Sequence, residues 1–286
     1  MSAVPNRSRR AAAPLFDRLL RRYIAGTEHP GKYRLVRWLG RHAMGDGIVA
    51  VVYPGVKLRL NPVDWIEYLL LRDGIYEPLV LDFMRRNLEP GQSAIVAGVS
   101  NGLHAIVAAL AVGPAGKVAG CEPQPAALLR ARQNMSLNGI PDGPLRLVAA
   151  ALGSGRGLAP MAWSAADNPG RASLLTPGPG FTVPLLTLAE LASALALEPV
   201  RLMLLDLQGY ELQTLDGIGK LRPAIVIIED DPAYAADAAA ARAALHTRFR
   251  GLGYSLCDLH GRPVETSDAV LAERNLVAVL EGAEVW

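Results

Sequence analysis

A glycine-rich turn followed by an acidic residue is the first feature of this 286-residue sequence that suggests chemistry. The apolar stretch that ends at Ala97 leads into a turn containing Gly98 and Gly102, and the apolar stretch LHAIVAALAV follows. Glu122 ends the next apolar stretch, KVAGC. A turn of this kind presents free backbone N–H groups, and an acid at the end of the next strand can accept hydrogen bonds from both hydroxyls of a ribose. The spacing indicates a nucleoside-binding site.

The glycine spacing also narrows the class of nucleoside. A dinucleotide-binding loop has the pattern G-x-G-x-x-G, and a phosphate-binding loop has the pattern G-x-x-x-x-G-K-[ST]. The turn at residues 98–102 reads G-x-S-x-G, so it follows neither pattern. It suits a nucleoside without a diphosphate, such as S-adenosylmethionine. The competing interpretation is an ordinary strand-to-helix turn followed by a surface glutamate.

Acidic residues also follow two later apolar stretches. Asp206 comes after RLMLL, and Glu229, Asp230 and Asp231 come after PAIVII. Asp206 is a candidate general base for a hydroxyl acceptor, although it could instead cap the helix predicted after it. The three later acids could bind Mg²⁺ through oxygen ligands, but we expect solvated acids and predict no metal site. His104 and His260 are expected on the surface.

From residue 93 the sequence alternates apolar strands with helical stretches. This alternation predicts an α/β fold with a doubly wound, mostly parallel sheet covered on both faces. Two final strands, YSLCDLHG and NLVAVLEG, could pair antiparallel. Ligands of such sheets bind beyond the carboxyl ends of the strands, where the strand order reverses. The segment 153–180 is rich in glycine and proline and is predicted to be irregular.

The first ninety residues differ in character from the rest. We predict a flexible basic tail at 1–14, a cap of helices and a hairpin at 15–90, and the cofactor-binding domain at 91–286. Residues 1–41 contain ten Lys or Arg and two acids, whereas the whole chain has a net charge of only +2. The arginines either are solvated on a small cap or contact a membrane surface or an acidic partner.

Composition excludes several classes of protein. No run approaches the roughly 18 apolar residues that a membrane span requires, and no apolar segment follows the basic N-terminus as in a signal peptide. We therefore expect a cytoplasmic protein. Two cysteines provide neither a disulfide framework nor a metal site by their spacing. Aromatic residues make up 6% and do not alternate with basic ones, which argues against nucleic acid as a partner.

Several segments, taken in order, resemble the FkbM-type family of S-adenosylmethionine-dependent methyltransferases. They are YEPLVLDFMRRNLEPG, IVAGVSNG, GCEPQPAALLRARQNMSLNG, AALGSGRG, VPLLTLAEL, LLDLQGYELQTLDGI and RPAIVIIE. They span roughly residues 75–230, over half of the chain. The resemblance implies a class I, Rossmann-like methyltransferase fold with seven strands, the last of which inserts antiparallel.

The resemblance also assigns roles to particular residues. It implies that Asp206 faces the transfer site, with Glu229 on the neighbouring strand as a second catalytic candidate. The residues that it places around the cofactor are Glu77, Gly98, Ser100, Asn101, Gly102, Glu122, Pro123, Ala149, Ala150, Asp206 and Gln208. Of these, Glu122 would hold the ribose, and Ala149 and Ala150 would lie near the adenine.

The predicted function is therefore S-adenosylmethionine-dependent O-methylation of a hydroxyl on a small molecule, such as a sugar or secondary metabolite, or on a glycan. The alternative is a methyltransferase-like module that binds a partner or glycan without chemistry. Two departures from the resembled family motivate it, since that family commonly has charged residues where Val96 and Leu204 stand.

Overall fold

The computed structural model of the protein describes residues 7–43, 46–141, 143–163, 174–175, 178–230, 238–265 and 274–285. Residues 7–14, 42–43 and 238 are described by their backbone alone. The described chain divides into two units, the first ending at Tyr76 and the second beginning at Glu77.

The first unit contains three helices and one β-hairpin. They are α1 (Arg7–Ala25), α2 (Lys32–Ala43), β1 (Ile48–Val52), β2 (Val56–Leu60) and α3 (Trp65–Asp73). The hairpin is antiparallel and turns at Pro54 and Gly55, as predicted. Of the predicted flexible tail at 1–14, residues 7–14 are described as part of α1, and residues 1–6 lie outside the described residues. The alanines of RSRRAAAP are strong helix formers, and their preference outweighs the polar appearance of the segment.

The second unit begins with α4 (Pro78–Asn87) and continues as alternating strands and helices. Its strands are β3 (Ser93–Ala97), β4 (Lys117–Cys121), β5 (Leu145–Val148), β6 (Ala151–Leu152), β7 (Gly157–Ala162), β8 (Gly180–Leu186), β9 (Val200–Leu205), β10 (Ile225–Glu229), β11 (Tyr254–Cys257) and β12 (Asn275–Leu280). Its further helices are α5 (Leu103–Val112), α6 (Pro125–Leu137), α7 (Leu188–Ala194), α8 (Glu211–Asp216) and α9 (Ala238–Gly251).

Seven of these strands form one sheet in the order β11-β12-β10-β9-β3-β4-β5. The strands from β10 to β5 in this order are parallel, and β12 runs antiparallel to both β10 and β11. The doubly wound, mostly parallel α/β sheet and the antiparallel pairing of its two closing strands are thereby confirmed. The strand order reverses between β3 and β9, which is where sheets of this type bind ligands.

The sequence predictions differ from the structure at two places in the second unit. The division of the chain lies before α4 rather than after residue 90, because α4 packs against α5 and β9. The segment predicted to be irregular contains β7, which pairs with β8 in a separate three-stranded sheet of order β6-β8-β7. The strand predicted over LRLVAAALG is divided between that sheet and the large one, since β5 and β6 belong to different sheets.

The central strands are covered on both faces, as expected for a parallel sheet between helices. Ile95 and Val96 are consecutive residues of β3, so their side chains point to opposite faces, and both are fully buried. Their register partners on β9 are Met203 and Leu204, which are also buried. Within the described ranges, no helix is both long enough and apolar enough to cross a membrane.

Candidate active site

The turn after β3 is held against the end of β9 by close backbone approach. Gly98 has a φ of 84°, and a Cβ at this position would overlap the carbonyl oxygen of Asp206 and lie 3.1 Å from its carbonyl carbon. The Asp206 backbone N–H donates to the carbonyl of Ala97 at 3.1 Å. Glycine is therefore required at position 98 by packing of the two strand ends, in addition to any contact with a ligand.

The rest of the turn is fixed by α5 and α6. Gly102 has a φ of 97°, and a Cβ there would come within 3.2 Å of the Ala131 Cα on α6. The Asn101 side chain accepts a hydrogen bond from the Leu103 backbone N–H at 3.1 Å. Asn134, which is fully buried on α6, donates from Nδ2 to the Asn101 carbonyl at 2.8 Å. Asn134 was not predicted, because its sequence context shows only a helical position.

Glu122 is buried at the end of β4, with 4% of its surface exposed. Its Oε2 accepts from the Ser100 backbone N–H and its Oε1 from that of Gln124, both at 2.9 Å. Burial raises the pKa of Glu122, and the backbone N–H donors oppose this shift. The acid predicted to hold a ribose therefore organises the glycine turn, where Ser100 has a left-handed φ of 50°. With the further backbone contact from Val99, three of the roughly four acceptor sites of the carboxylate are occupied, which leaves one for a ligand hydroxyl.

Asp206 and Glu229 end the neighbouring strands β9 and β10, and their carboxyl groups are joined by a hydrogen bond. Gln208 bridges them, because its Nε2 lies 2.9 Å from Asp206 Oδ1 and 3.2 Å from Glu229 Oε2. Burial raises the pKa of Glu229 to about 11, and the nearby Asp206 charge adds to the shift. Burial likewise raises the pKa of Asp206, which the hydrogen bonds from Glu229 and Gln208 oppose. Two buried carboxyl groups this close favour holding one proton between them.

The loop that follows β9 and carries Gln208 is held in place by hydrogen bonds to Glu211. Glu211 Oε1 accepts from the Leu207 backbone N–H at 2.8 Å and from that of Gly209 at 3.3 Å. Its side chain is buried, and burial raises its pKa to about 7. Gln208 has a left-handed φ of 57°, and its buried Oε1 has no hydrogen-bond partner among the described residues. Glu211 was not predicted as a site residue, although it lies in the LLDLQGYE segment.

Glu77 and His104 complete the charged groups around the pair. Glu77 precedes α4 with a left-handed φ of 46°, and its Oε2 lies 3.1 Å from His104 Nε2. The Glu77 charge contributes to the raised pKa of both Asp206 and Glu229, whereas His104 lowers that of Asp206. The expectation of a surface position for His104 is wrong, because this residue is buried on the first turn of α5.

The remaining predicted residues follow the strands β4, β5 and β10 in the chain. Pro123 is half-buried after β4, and Ala149 and Ala150 follow β5, the first exposed and the second buried. Asp230 pairs with Arg242 at 3.2 Å, and Asp231 lies outside the described residues. Across the described ranges, no group of three or more His, Cys, Asp or Glu is arranged to hold a metal ion.

A family model described as the methyltransferase FkbM domain matches residues 97–256, which is more than half of the chain. The match includes the glycine turn, Glu122, Asp206 and Glu229. The search of curated proteins gave no match.

Solved structures that resemble the chain share little sequence with it. A SAM-dependent O-methyltransferase from Thermotoga maritima is 16% identical, with a TM-score of 0.43 over 83% of this chain and 78% of that one. An rRNA methylase from Streptococcus thermophilus is 15% identical, with a TM-score of 0.39 over 71% and 95%. A SAM-dependent methyltransferase from Aquifex aeolicus is 12% identical, with a TM-score of 0.39 over 71% and 87%. Similarities of this size do not extend to activity or substrate.

Proposed function

We propose that this chain, which belongs to the FkbM methyltransferase domain family, uses S-adenosylmethionine to methylate a hydroxyl group of a sugar, glycan or secondary metabolite. The observation that carries the proposal is the hydrogen-bonded pair of Asp206 and Glu229, because Asp206 follows β9, one of the two strands between which the strand order reverses. A hydroxyl group must lose its proton when it is methylated. A carboxylate placed here can accept that proton, whereas an acceptor that is already nucleophilic would not require a general base.

The residues around this point fit the cofactor. Glu122 offers carboxylate lone pairs beside a turn whose backbone is fixed, and the buried Oε1 of Gln208 is an acceptor without a partner among the described atoms. S-adenosylmethionine supplies a methyl group already activated by its sulfonium. We assign Glu122 to the ribose hydroxyls. The other proposed contacts are Glu77, Gly98, Ser100, Asn101, Gly102 and Gln208 for the methionine end, and Pro123, Ala149 and Ala150 for the adenine.

Asp206 is proposed as the base and Glu229 as the group that holds it in place. Glu229 in its protonated form donates to the Asp206 carboxylate, and Gln208 donates to the same carboxylate, so that about two of its four acceptor sites remain for the acceptor hydroxyl. S-adenosylmethionine would supply the methyl group and leave as S-adenosylhomocysteine, whose sulfur would keep the electron pair of the broken bond. Asp206 would accept the proton of the acceptor hydroxyl.

The alternative function, binding without chemistry, remains a second candidate because of Val96 and Leu204. These two residues are register partners on β3 and β9, and both side chains are buried. Two apolar residues in contact across neighbouring strands leave no charge unpaired in the core, which is compatible with a folded sheet and an intact turn. The enzyme and the binding module are therefore distinguished by measuring methyl transfer and not by measuring stability.

The experiment combines calorimetry of S-adenosylmethionine and S-adenosylhomocysteine binding with transfer of labelled methyl to a panel of hydroxyl acceptors. Asp206→Asn should reduce transfer by about 10²–10⁴-fold while cofactor affinity stays within a few-fold. The matched control is Asp216→Asn, which removes an exposed acid at the end of α8 that pairs with Arg248.

Each result separates the candidates. Absence of cofactor binding by the folded protein refutes the enzyme assignment. Cofactor binding without transfer to any hydroxyl acceptor supports the binding module. Equal losses in Asp206→Asn and Asp216→Asn would show that Asp206 is not the base.

A further inference from the structure

The first unit carries exposed stripes of basic and large apolar side chains that its own core does not use. On α1, one face presents Leu15, Arg18, Leu19 and Arg22, whereas Leu20 and Ile24 on the opposite face are buried. The spacing of three and four residues places the four exposed side chains within one stripe of the helix. The exposed positions therefore form a continuous surface and are not scattered.

A second stripe of the same kind lies on α2, which packs against α1. Its exposed side chains are Arg34, Leu35, Trp38 and Arg41, and its buried side chains include Lys32 and Val36. Trp38 is 58% exposed, although an indole ring is usually among the most buried side chains. The two stripes together are called the α1–α2 face below.

The charge of the α1–α2 face has one sign. Each stripe contributes two arginines, and the two acids of residues 15–41 lie elsewhere. Asp17 is half-buried, and its pKa is raised by burial and lowered by Arg59 of β2. Glu28 is engaged by Lys32 at 3.4 Å and by Arg72 at 3.9 Å. The partner that this face fits must be negatively charged.

The apolar members of the face decide between an anionic lipid surface and an acidic protein or nucleic acid. Leucines and a tryptophan exposed beside arginines match a helix that lies in the plane of a membrane interface, with its apolar side chains among the acyl chains and its arginines at the headgroups. The adjacent hairpin extends the pattern, since Val51 is 58% exposed and its register partner is Lys57. Arg21 links α1 to this hairpin through the Val49 carbonyl, at 3.5 Å.

We propose that the α1–α2 face binds the surface of a bilayer that contains anionic phospholipids. The binding is peripheral and has two contributions. The arginines are attracted to phosphate groups, and apolar side chains are buried at the interface, namely Leu15, Leu19, Leu35 and Trp38. It is independent of methyl transfer, because no residue of the proposed active site takes part.

The test is flotation of the full chain with two kinds of vesicle, phosphatidylcholine alone and phosphatidylcholine mixed in equal parts with phosphatidylglycerol. The protein should float with the mixed vesicles only, and raising the salt to about 1 M, where the Debye length is about 3 Å, should release most of it. Arg22→Gln should weaken partitioning about fivefold, and Leu19→Ser/Arg22→Gln about tenfold or more.

The second unit offers a matched control on α6. Leu129 is 59% exposed, close to the 57% of Leu19, and Arg132 is exposed three residues later, as Arg22 is after Leu19. Leu129→Ser/Arg132→Gln should float like the unchanged protein. Both double variants should keep the circular dichroism spectrum and urea midpoint of the parent, so that a loss of flotation is not a loss of folding.

Three outcomes overturn the proposal. One is equal flotation with both kinds of vesicle, or with neither. Another is an equal effect of the α1 and α6 double variants. The last is tighter binding to polyglutamate or to single-stranded nucleic acid than to the mixed vesicles, which would assign the face to an acidic macromolecule instead.

Discussion

Replacing Gly98 by alanine tests the contact between the ends of β3 and β9 most directly. The new Cβ would overlap the carbonyl oxygen of Asp206, and the backbone at Gly98 has a φ of 84°, which is unfavourable for alanine. Relief of the overlap must separate the two strand ends, which are joined there by the hydrogen bond from the Asp206 N–H to the Ala97 carbonyl. We therefore expect both lower stability and loss of methyl transfer.

The size of the effect follows from its two parts. Insertion of a methyl group into a packed position costs about 1–3 kcal/mol, and a left-handed alanine costs about 1–2 kcal/mol. The free energy of unfolding should fall by about 3 kcal/mol. Gly139→Ala isolates the second part, because Gly139 follows α6 with a left-handed φ of 65° and no described atom lies within 4 Å of the added Cβ. It should cost about 1 kcal/mol.

Gly251→Ala completes the series as a substitution with neither cost. Gly251 ends α9 without a left-handed φ, and no described atom lies within 4 Å of the added Cβ. Alanine should there stabilise the protein slightly, by up to about 1 kcal/mol. Urea unfolding compares the free energies of unfolding of the three variants. Calorimetry of cofactor binding shows whether the glycine turn is still intact. If Gly98→Ala costs no more than Gly139→Ala, the strand-end contact is not what requires glycine.

Two further predictions concern buried polar groups near the site. Burial raises the pKa of Glu211 to about 7 in the folded protein from 4.5, so the protonated form is favoured by folding. This stabilisation is complete below about pH 4.5 and is lost as the pH rises to about 7. The variant Glu211→Gln retains an acceptor oxygen but does not titrate. In urea unfolding, its free energy of unfolding should therefore rise relative to that of the parent by up to about 3 kcal/mol over this interval. An unchanged difference between about pH 5 and about pH 8 would contradict the assigned burial. Asn134→Ala removes the buried donor to the Asn101 carbonyl and should lower the free energy of unfolding by about 1–3 kcal/mol, whereas a neutral effect would show that another group satisfies this carbonyl.

The parallel core could be predicted from the sequence because its strands are short apolar runs ended by turn residues. Burial on both faces makes such a run nearly continuous, as Ile95 and Val96 show. Once the strands were placed, the carboxyl-end positions of Glu122, Asp206 and Glu229 followed from their order alone. The site residues that end strands were therefore accessible to sequence reasoning, although their proposed contacts with the cofactor remain predictions.

Other features depend on geometry that the sequence pattern does not contain. The approach of Glu77 to His104 brings a residue before α4 next to α5, and the bridge made by Gln208 requires a left-handed backbone at a residue that is not glycine. The strand β7 was missed because Pro160 interrupts its pattern, which is tolerated since β7 is an edge strand paired only with β8 among the described strands.

The position of β12 imposes an order on assembly during synthesis. This strand lies between β10 and β11, and β11 pairs with no other strand of the described chain. When residues 254–257 leave the ribosome, their native partner β12 has not yet been made, and the edge of β10 that β12 will cover stays open until residues 275–280 arrive. An unpaired apolar edge is a template for pairing with other chains. A nascent or truncated chain that lacks Asn275–Leu280 is thus the form of this protein most exposed to aggregation.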